Sequence, residues 1–397
     1  MFSSKIKMDI NLKYYLYNRS YKQYRVLIKY KNFKDSIIKR IDSYKGKLIH
    51  SLEYSNIICA ELDNRSINRL LEYPEIEYIS FDEYLFLCGM SVSTANKFHL
   101  SEKYNLSGKG IGIGLVDSGV YPHPDLTTPS NKIGSFVDLI NDLTYPYDDN
   151  GHGTAIAGII SSSGISSNDM YKGIAQRSII HCYKAFDKLG KGFSSDILFS
   201  IEELIKNSEK NNIKILCLPF ELLTHNTFII EAFNKTFLKA IEKSITPIVP
   251  SGSNFNNDCS IMGIATLGSC LTVGGVDTNA SLKPFEYSSS GPFDKLTKPD
   301  LSAACVNITT LNTDTSYISE KNGFKLYPKK LEASYKTFTG TSLAVAFISG
   351  LCALIYENNP NLTFNDVCAI LKLSCNPGDF SKFKQGEGIV NINKLIT

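Results

Sequence analysis

Between Leu343 and Ile355 the apolar content is nearly continuous, so the stretch has no polar face to turn toward water. A helix apolar all round is a buried helix, and it needs a large body of protein about it. The chain can supply that body: 397 residues with 43% hydrophobic content exceed one average domain and fill a sizeable core. The run opens on Gly340-Thr-Ser342, a hydroxyl at the amino terminus of a buried helix. Two other segments have the same form. Gly110-Ile-Gly-Ile-Gly-Leu-Val116 is a short apolar run of strand type that delivers Asp117. Its carboxylate is expected at the carboxyl end of a buried strand, where open α/β sheets bind ligands. His152 heads a third apolar run, Thr154 to Ile160, with Ala and Gly interleaved for close packing.

An acid, an imidazole and a hydroxyl, each wrapped in small residues, are what nucleophilic acyl transfer asks of a fold. A serine hydroxyl is a weak nucleophile at neutral pH. Ser342 therefore needs His152 to take its proton and return it to the leaving amine, with Asp117 fixing the imidazole tautomer and stabilising the imidazolium. The residues lie 35 and 190 positions apart, so only tertiary folding can join them. Taken singly, Asp117 reads as a turn residue, His152 as a helix cap and Ser342 as a Gly-Thr-Ser cap; their joint occurrence in this order favours the chemistry. At Ser342 the helix dipole and free backbone N–H groups also suit an oxyanion.

Forty-two basic and 39 acidic residues give a formal charge of +3, which makes no electrostatic case for nucleic acid or an anionic membrane as partner. The ten cysteines are scattered, several in apolar settings such as Leu216-Cys217-Leu218, and no Cys-x-x-Cys pair suggests zinc. That usage suits a reducing compartment better than a disulfide framework. Residues 1–18 hold no apolar run of signal-peptide length and no downstream run reaches spanning length, so a cytoplasmic location without a membrane span is expected.

The first 90 residues read as a separate unit. Strands over Tyr24–Tyr30, Lys47–Glu53, Ile57–Leu62 and Ile76–Phe81 alternate with helices over Lys34–Ser43 and Asn64–Glu72, a βαββαβ pattern. We expect an extension over residues 1–22, loosely held, then this unit over 23–90 and a second domain over 91–397.

From about Lys109 to Asn391 the chain resembles the subtilisin-like serine proteases, or subtilases. Val116-Asp-Ser-Gly-Val120, Asp148-Asp-Asn-Gly-His-Gly-Thr154 and Gly340-Thr-Ser-Leu-Ala344 look like the three catalytic segments of that family. Lys298-Pro-Asp-Leu-Ser302 and Tyr287-Ser-Ser-Ser-Gly-Pro292 match lesser signatures. The resemblance implies a three-layer α/β fold with a largely parallel, doubly wound sheet, preceded by a small α+β, ferredoxin-like prodomain. It implies a serine endopeptidase acting on protein or peptide through an acyl-enzyme on Ser342, made as a self-inhibited zymogen. Val249-Pro-Ser-Gly-Ser-Asn254 aligns with the family's oxyanion-hole segment, so that role falls on Asn254, and Ser251 and Gly252 fall to substrate binding. Residues 84–90 would lie in the substrate cleft as the prodomain's tail, with self-cleavage between positions 85 and 90. The other reading of this unit is a ferredoxin-like domain that is never removed. No cofactor is implied. Calcium is allowed in the loop from Ser161 to Lys172, where Asn168 and Asp169 offer oxygen, though solvated polar residues explain them equally.

The substrate edge departs from the family pattern. Where relatives read Ser-Leu-Gly, this chain has Pro219-Phe220-Glu221, and Gly263-Ile-Ala265 replaces the family's Tyr-Pro-Ala segment. Glu221 would project where substrate passes, either selecting a basic residue or narrowing the cleft; a loop residue in water is the plainer alternative. A narrow cleft suits a processing protease for one partner. It also suits a pseudoprotease that binds a peptide without cutting it, a reading against which the intact Asp117, His152 and Ser342 weigh.

Overall fold

The structure is a computed structural model, and it describes residues 7–87, 96, 106–279, 281–294 and 296–395. The N-terminal unit comprises α1 (Ile10–Tyr17), β1 (Tyr24–Tyr30), α2 (Lys34–Ser43), β2 (Lys47–Leu52), β3 (Ile57–Leu62), α3 (Asn64–Leu71) and β4 (Ile76–Phe81). Its antiparallel sheet runs β2-β3-β1-β4, the order of a βαββαβ unit. The sheet is buried on both faces. Val26, Ile28, Ile58 and Ala60 pack beneath the unit's own helices, while Leu27, Leu52, Ile57 and Cys59 join the core of the following domain.

Residues 10–17 correct the expectation of a loosely held extension. Leu12 and Leu16 of α1 are buried in the unit's core, and the backbone of residues 7–9 bonds Ile79. One lysine and three tyrosines in this stretch had masked a two-residue apolar anchor. The expected cleavage region beyond residue 87 lies outside the described residues, as does the expected boundary at 90/91.

The chain continues through β5 (Tyr84–Leu87), β6 (Gly112–Asp117), α4 (Pro124–Thr127), β7 (Ile133–Asp138), α5 (His152–Ser161), β8 (Ile179–Lys184), β9 (Lys191–Phe193), α6 (Ser194–Lys206) and α7 (Ser208–Asn211). Then follow β10 (Ile213–Cys217), β11 (Phe220–Glu221), α8 (Thr227–Glu242), β12 (Thr246–Pro250), β13 (Leu271–Asp277), β14 (Lys283–Pro284) and β15 (Leu301–Ala304). The last third holds β16 (Ile308–Leu311), β17 (Glu320–Lys321), β18 (Phe324–Lys325), β19 (Tyr335–Phe338), α9 (Thr341–Asn358), α10 (Phe364–Ser374), β20 (Cys375–Asn376), α11 (Lys382–Gln385), β21 (Ile389–Val390) and α12 (Ile392–Leu395).

The main sheet runs β20-β21-β15-β13-β12-β10-β6-β8-β7, parallel from β21 to β7. Its strands alternate between two cores. Ile113, Leu115, Ile215 and Ile248 face α5 and α9; Val116, Leu216 and Val249 face α6 and α8. A parallel sheet covered on both sides explains why these strands read as unbroken apolar runs. Helix α9 is the central piece: every residue from Thr341 to Tyr356 is buried. It is the one helix among the described residues long and apolar enough to cross a bilayer, which the sequence reading had not anticipated, and it lies enclosed in the core. Successive strands go to one side of β6 (β7, β8) and then to the other (β10, β12, β13), so the chain reverses direction across the β6/β10 pair. Such a switch point opens a crevice at the carboxyl ends of the strands.

The N-terminal unit is tied to this crevice by charge as well as packing. Arg25 on β1 pairs with Asp82 and with Asp196 at the start of α6, at 2.6 and 2.5 Å. Asp82 in turn accepts the Ser194 hydroxyl and the Ser195 N–H, capping α6 from outside its own domain. Glu83 receives the side-chain amide of Asn226, the N-cap of α8. Beyond them β5 is the middle strand of a three-stranded sheet, antiparallel to β9 on one edge and β11 on the other.

Asp300, in the Lys298-Pro-Asp motif, ties α10 to the sheet. It accepts Lys298 Nζ at 2.6 Å, Lys372 Nζ at 2.8 Å and the Thr272 N–H at 2.8 Å. Burial works to raise its pKa, but the two ammonium charges outweigh burial and hold the carboxyl below its ordinary value of 3.8. A depressed folded-state pKa stabilises above the unfolded value, and that stability is lost as pH falls through the folded one. Asp300→Asn is therefore expected to cost about 2 kcal/mol at pH 7. In urea unfolding the gap between variant and parent should shrink below pH 4; a gap that stays constant to pH 3 contradicts the assignment.

Candidate active site

The three expected residues meet at the switch point. His152 Nδ1 lies 2.9 and 3.0 Å from the two carboxylate oxygens of Asp117, and Nε2 lies 3.0 Å from Ser342 Oγ. An ionised carboxylate only accepts, so Nδ1 carries the proton and Nε2 is left to accept from the serine hydroxyl. Each residue comes from the end of a buried element: Asp117 closes β6, His152 opens α5, and Ser342 sits in the first turn of α9. All three are buried. Burial pushes the Asp117 pKa up, against the charge and hydrogen bond of His152 and the Ser118 N–H at 2.6 Å.

What fixes this geometry is a second carboxylate to which the sequence reading gave no role. Asp148 Oδ1 accepts Ser118 Oγ at 2.9 Å and the N–H groups of Asn150 and Gly151 at 3.1 and 2.8 Å. Its Oδ2 accepts both the N–H and the hydroxyl of Thr154, at 2.9 and 2.6 Å. Asp148 thus ties the turn after β6 to the first turn of α5, and its negative charge lies at the positive end of that helix. Two glycines permit the approach. A Cβ on Gly153 would stand 2.0 Å from Gly119 O, and one on Gly119, at φ +120°, would stand 2.2 Å from Tyr147 O.

Lys184 is the second group missed. It sits opposite Asp117 in the β6/β8 register and is fully buried, with its ammonium on Ser118 O, Phe186 O and Asp149 Oδ1 at 2.6, 3.0 and 2.6 Å. The sequence signals were present for both: an acid three residues before Gly151-His152 has the form of a helix cap, and Lys184 ends an otherwise apolar strand.

Of the expected substrate residues, Ser251 and Gly252 lie beside the triad helix: Thr341 Oγ1 donates to Gly252 O at 3.3 Å, and the hydroxyls of Ser251 and Ser288 are 3.0 Å apart. Asn254 follows on the same segment: its N–H donates to Ser289 Oγ at 2.8 Å, and its side-chain amide lies 3.4 Å from Met262 Sδ. Pro219 is buried just before β11. Phe220 is fully buried, its ring 5.3 Å from that of Phe186, and its main chain pairs with β5.

Glu221 does not stand in water. It is buried, and its carboxylate accepts the N–H of Ser253 at 2.8 Å and the Ser253 hydroxyl, bridging β11 to the 251–253 wall. Gly252, at φ +107°, leaves it room: a Cβ there would lie 2.8 Å from Glu221 Oε2. In the loop considered for calcium, Asp169 pairs with Lys172 at 2.9 Å, and no group of three or more His, Cys, Asp or Glu suited to a metal occurs among the described residues.

The arrangement can deprotonate a hydroxyl, hold the resulting imidazolium, and offer the N–H groups of a buried helix start to an oxyanion. Comparison with known proteins agrees. Residues 108–388 match the description "Subtilase family". Serine protease AprX of Bacillus subtilis is 33% identical over 279 residues, covering 67% of this chain and 61% of AprX. Subtilisin E of the same organism is 27% identical over 362 residues, covering 87% of this chain and 82% of it. Fervidolysin from Fervidobacterium pennivorans, described as a keratinolytic enzyme related to subtilisin, has the same fold with a TM-score of 0.73 at 16% identity. That likeness covers 95% of this chain and 61% of fervidolysin. The epidermin leader peptide processing serine protease of Staphylococcus aureus gives 0.70 at 17% identity, covering 95% and 99%. The chain thus spans less than two thirds of AprX and of fervidolysin.

Replacing Asp148 by Ala strands five donors, most of them buried, and is expected to destabilise the protein by about 3 to 5 kcal/mol. Calorimetry on an inactive Ser342→Ala background checks this without self-digestion. A change below about 0.5 kcal/mol, the size of an ordinary surface substitution, contradicts the role given to Asp148.

Proposed function

Because this chain belongs to the subtilase family, we propose that it is a serine endopeptidase, made with its own inhibitor and directed at a restricted set of protein or peptide substrates. The relay from Asp117 through His152 to Ser342 carries this reading. Ser342 Oγ attacks the scissile carbonyl carbon as its proton passes to His152 Nε2. The tetrahedral oxyanion collapses, the C–N bond breaks, and His152 gives that proton to the departing amine. Water, deprotonated by the same nitrogen, then cleaves the acyl ester and frees Ser342. Every proton transfer runs through side chains, so the reaction calls on no cofactor. In this reading the side-chain amide of Asn254, which in the free protein lies 3.4 Å from Met262 Sδ, is a further donor to the oxyanion.

Zymogen character is supported by β5, an extended segment held between β9 and β11 as a substrate would be. The N-terminal unit is then the inhibitory prodomain and β5 its tail. A processing role is supported by the Glu221–Ser253 bridge, which narrows the cleft, and by the likeness to a leader peptide processing protease. The described cysteines are all unpaired thiols, most of them buried, which supports work in a reducing compartment. The intact relay favours hydrolysis over a binding-only role.

The chain and its Ser342→Ala form should differ in two readouts. By mass spectrometry only the unmutated chain is expected to lose its N-terminal unit, and a serine-directed phosphonate should label Ser342 once that unit is removed. A chain that stays full length and refuses the probe after limited proteolysis of residues 1–87 sinks the endopeptidase reading.

Glu221→Gly releases Ser253 and opens the wall. Profiling with a peptide library should show kcat/KM for bulky primary residues rising about tenfold against small ones, the scale at which one or two methylenes are discriminated. If the variant instead loses only a preference for basic residues, Glu221 selects charge and does not narrow the cleft.

A further inference from the structure

Residues 312–334, between β16 and β19, serve neither the main sheet nor the triad. They fold out as the hairpin β17–β18 and leave Ile318, Phe324 and Tyr327 60, 75 and 78% exposed. Apolar side chains grouped in water on one segment mark an interaction surface.

A groove of about 920 Å³ runs between this segment and residues 121–146. Tyr121, Tyr145, Tyr317 and Tyr327 line it together with four prolines, so its walls are stiff and aromatic. Lys325, Lys329 and Lys330 supply its charge, and among the described residues no carboxylate lines it. The neighbouring acids are engaged or turned elsewhere. Glu320 accepts the Thr144 N–H at 2.8 Å, Asp314 accepts the Ser316 N–H and hydroxyl, and Glu332 is exposed outside the lining. Lys325 Nζ instead stands 5.1 and 5.3 Å from the ring centres of Tyr145 and Tyr327. Among the described residues none of the three lysines makes an ion pair.

The groove adjoins the triad. Tyr121 N–H donates to Thr154 Oγ1 at 2.9 Å, and the Thr313 methyl lies 2.9 Å from the Cβ position of Gly151, the residue before His152. It also lies on the α5 side of the sheet, whereas β9 and β11 lead into α6 and α8 on the other.

We propose that this groove is an exosite for an acidic, extended segment of the polypeptide substrate, distant from the residues around the scissile bond. Tyrosine faces and proline rings accept an extended chain without demanding a side-chain sequence, and three unpaired ammonium groups select its charge. The inference rests on the endopeptidase reading, and its test is built to stand apart from it.

Binding is measured on the full chain carrying Ser342→Ala, by fluorescence anisotropy with three labelled decapeptides: alternating Glu-Pro, alternating Lys-Pro, and Gly-Ser. The acidic peptide should bind alone and weaken steeply with added salt. In the K325E/K329E/K330E form its affinity should fall at least about fivefold, the product of three exposed charge contacts. Tyr327→Ala, a substitution on an exposed hairpin, should weaken it while leaving the circular dichroism spectrum unchanged. In the active chain, an acidic extension on a peptide substrate should lower KM while kcat for the unextended peptide is untouched by the triple variant. Equal binding of acidic and basic peptides, or acidic affinity that survives the triple variant, overturns the exosite. So does light scattering that finds a dimer dissolved by the same substitutions, since the groove would then be covered by a second copy. Loss of hydrolysis with binding intact would fault the endopeptidase reading alone.

Discussion

A carboxylate shut away from water is tolerable only when its lone pairs are filled. Asp148 meets that condition with five donors drawn from the turn after β6 and the first turn of α5. The consequence is a fixed distance between a strand end and a helix start, which is the distance between Asp117 and His152. Lys184 completes the frame from the neighbouring strand by holding the carbonyl of Ser118. The reactive residues therefore sit on a scaffold of buried polar bonds, which also holds the segment before α5 in place.

How much of this was legible in the sequence follows from what kind of signal each part leaves. The triad was readable because each member stands at the boundary of an apolar run, and apolar runs in a parallel sheet or a buried helix are continuous. The N-terminal unit was readable because its strands and helices keep their periods and are separated by short turns. Residue patterns report local structure, however, and the misplaced expectations concern distant contact. Nothing in Pro219-Phe220-Glu221 announces that Glu221 will meet Ser253, 32 positions on, or that Phe220 will turn inward onto Phe186. The helix of residues 10–17 escaped because two buried leucines among tyrosines and a lysine make no clear period.

The N-terminal unit and the larger domain share more than a contact surface. The sheet of the first supplies part of the core of the second, and Asp82 provides the cap that α6 does not find in its own preceding residue, Phe193. Arg25 lies over the Phe193 ring at 4.1 Å while pairing with two aspartates. Each half thus leaves groups that only the other satisfies, which explains why the two pack as one interior.

The placement of β5 carries this furthest. A strand on the outside of a sheet can peel off one residue at a time, because each broken bond leaves the rest of the ladder standing. A strand zipped on both sides has no free margin from which to start. Residues 84–86 pair with β9 and residues 86–87 with β11, so freeing either end alone leaves the opposite ladder holding the strand. If β5 is the inhibitory tail proposed above, a competitor for that seat must displace two ladders, one at each end of the segment, before it can lie along its full length.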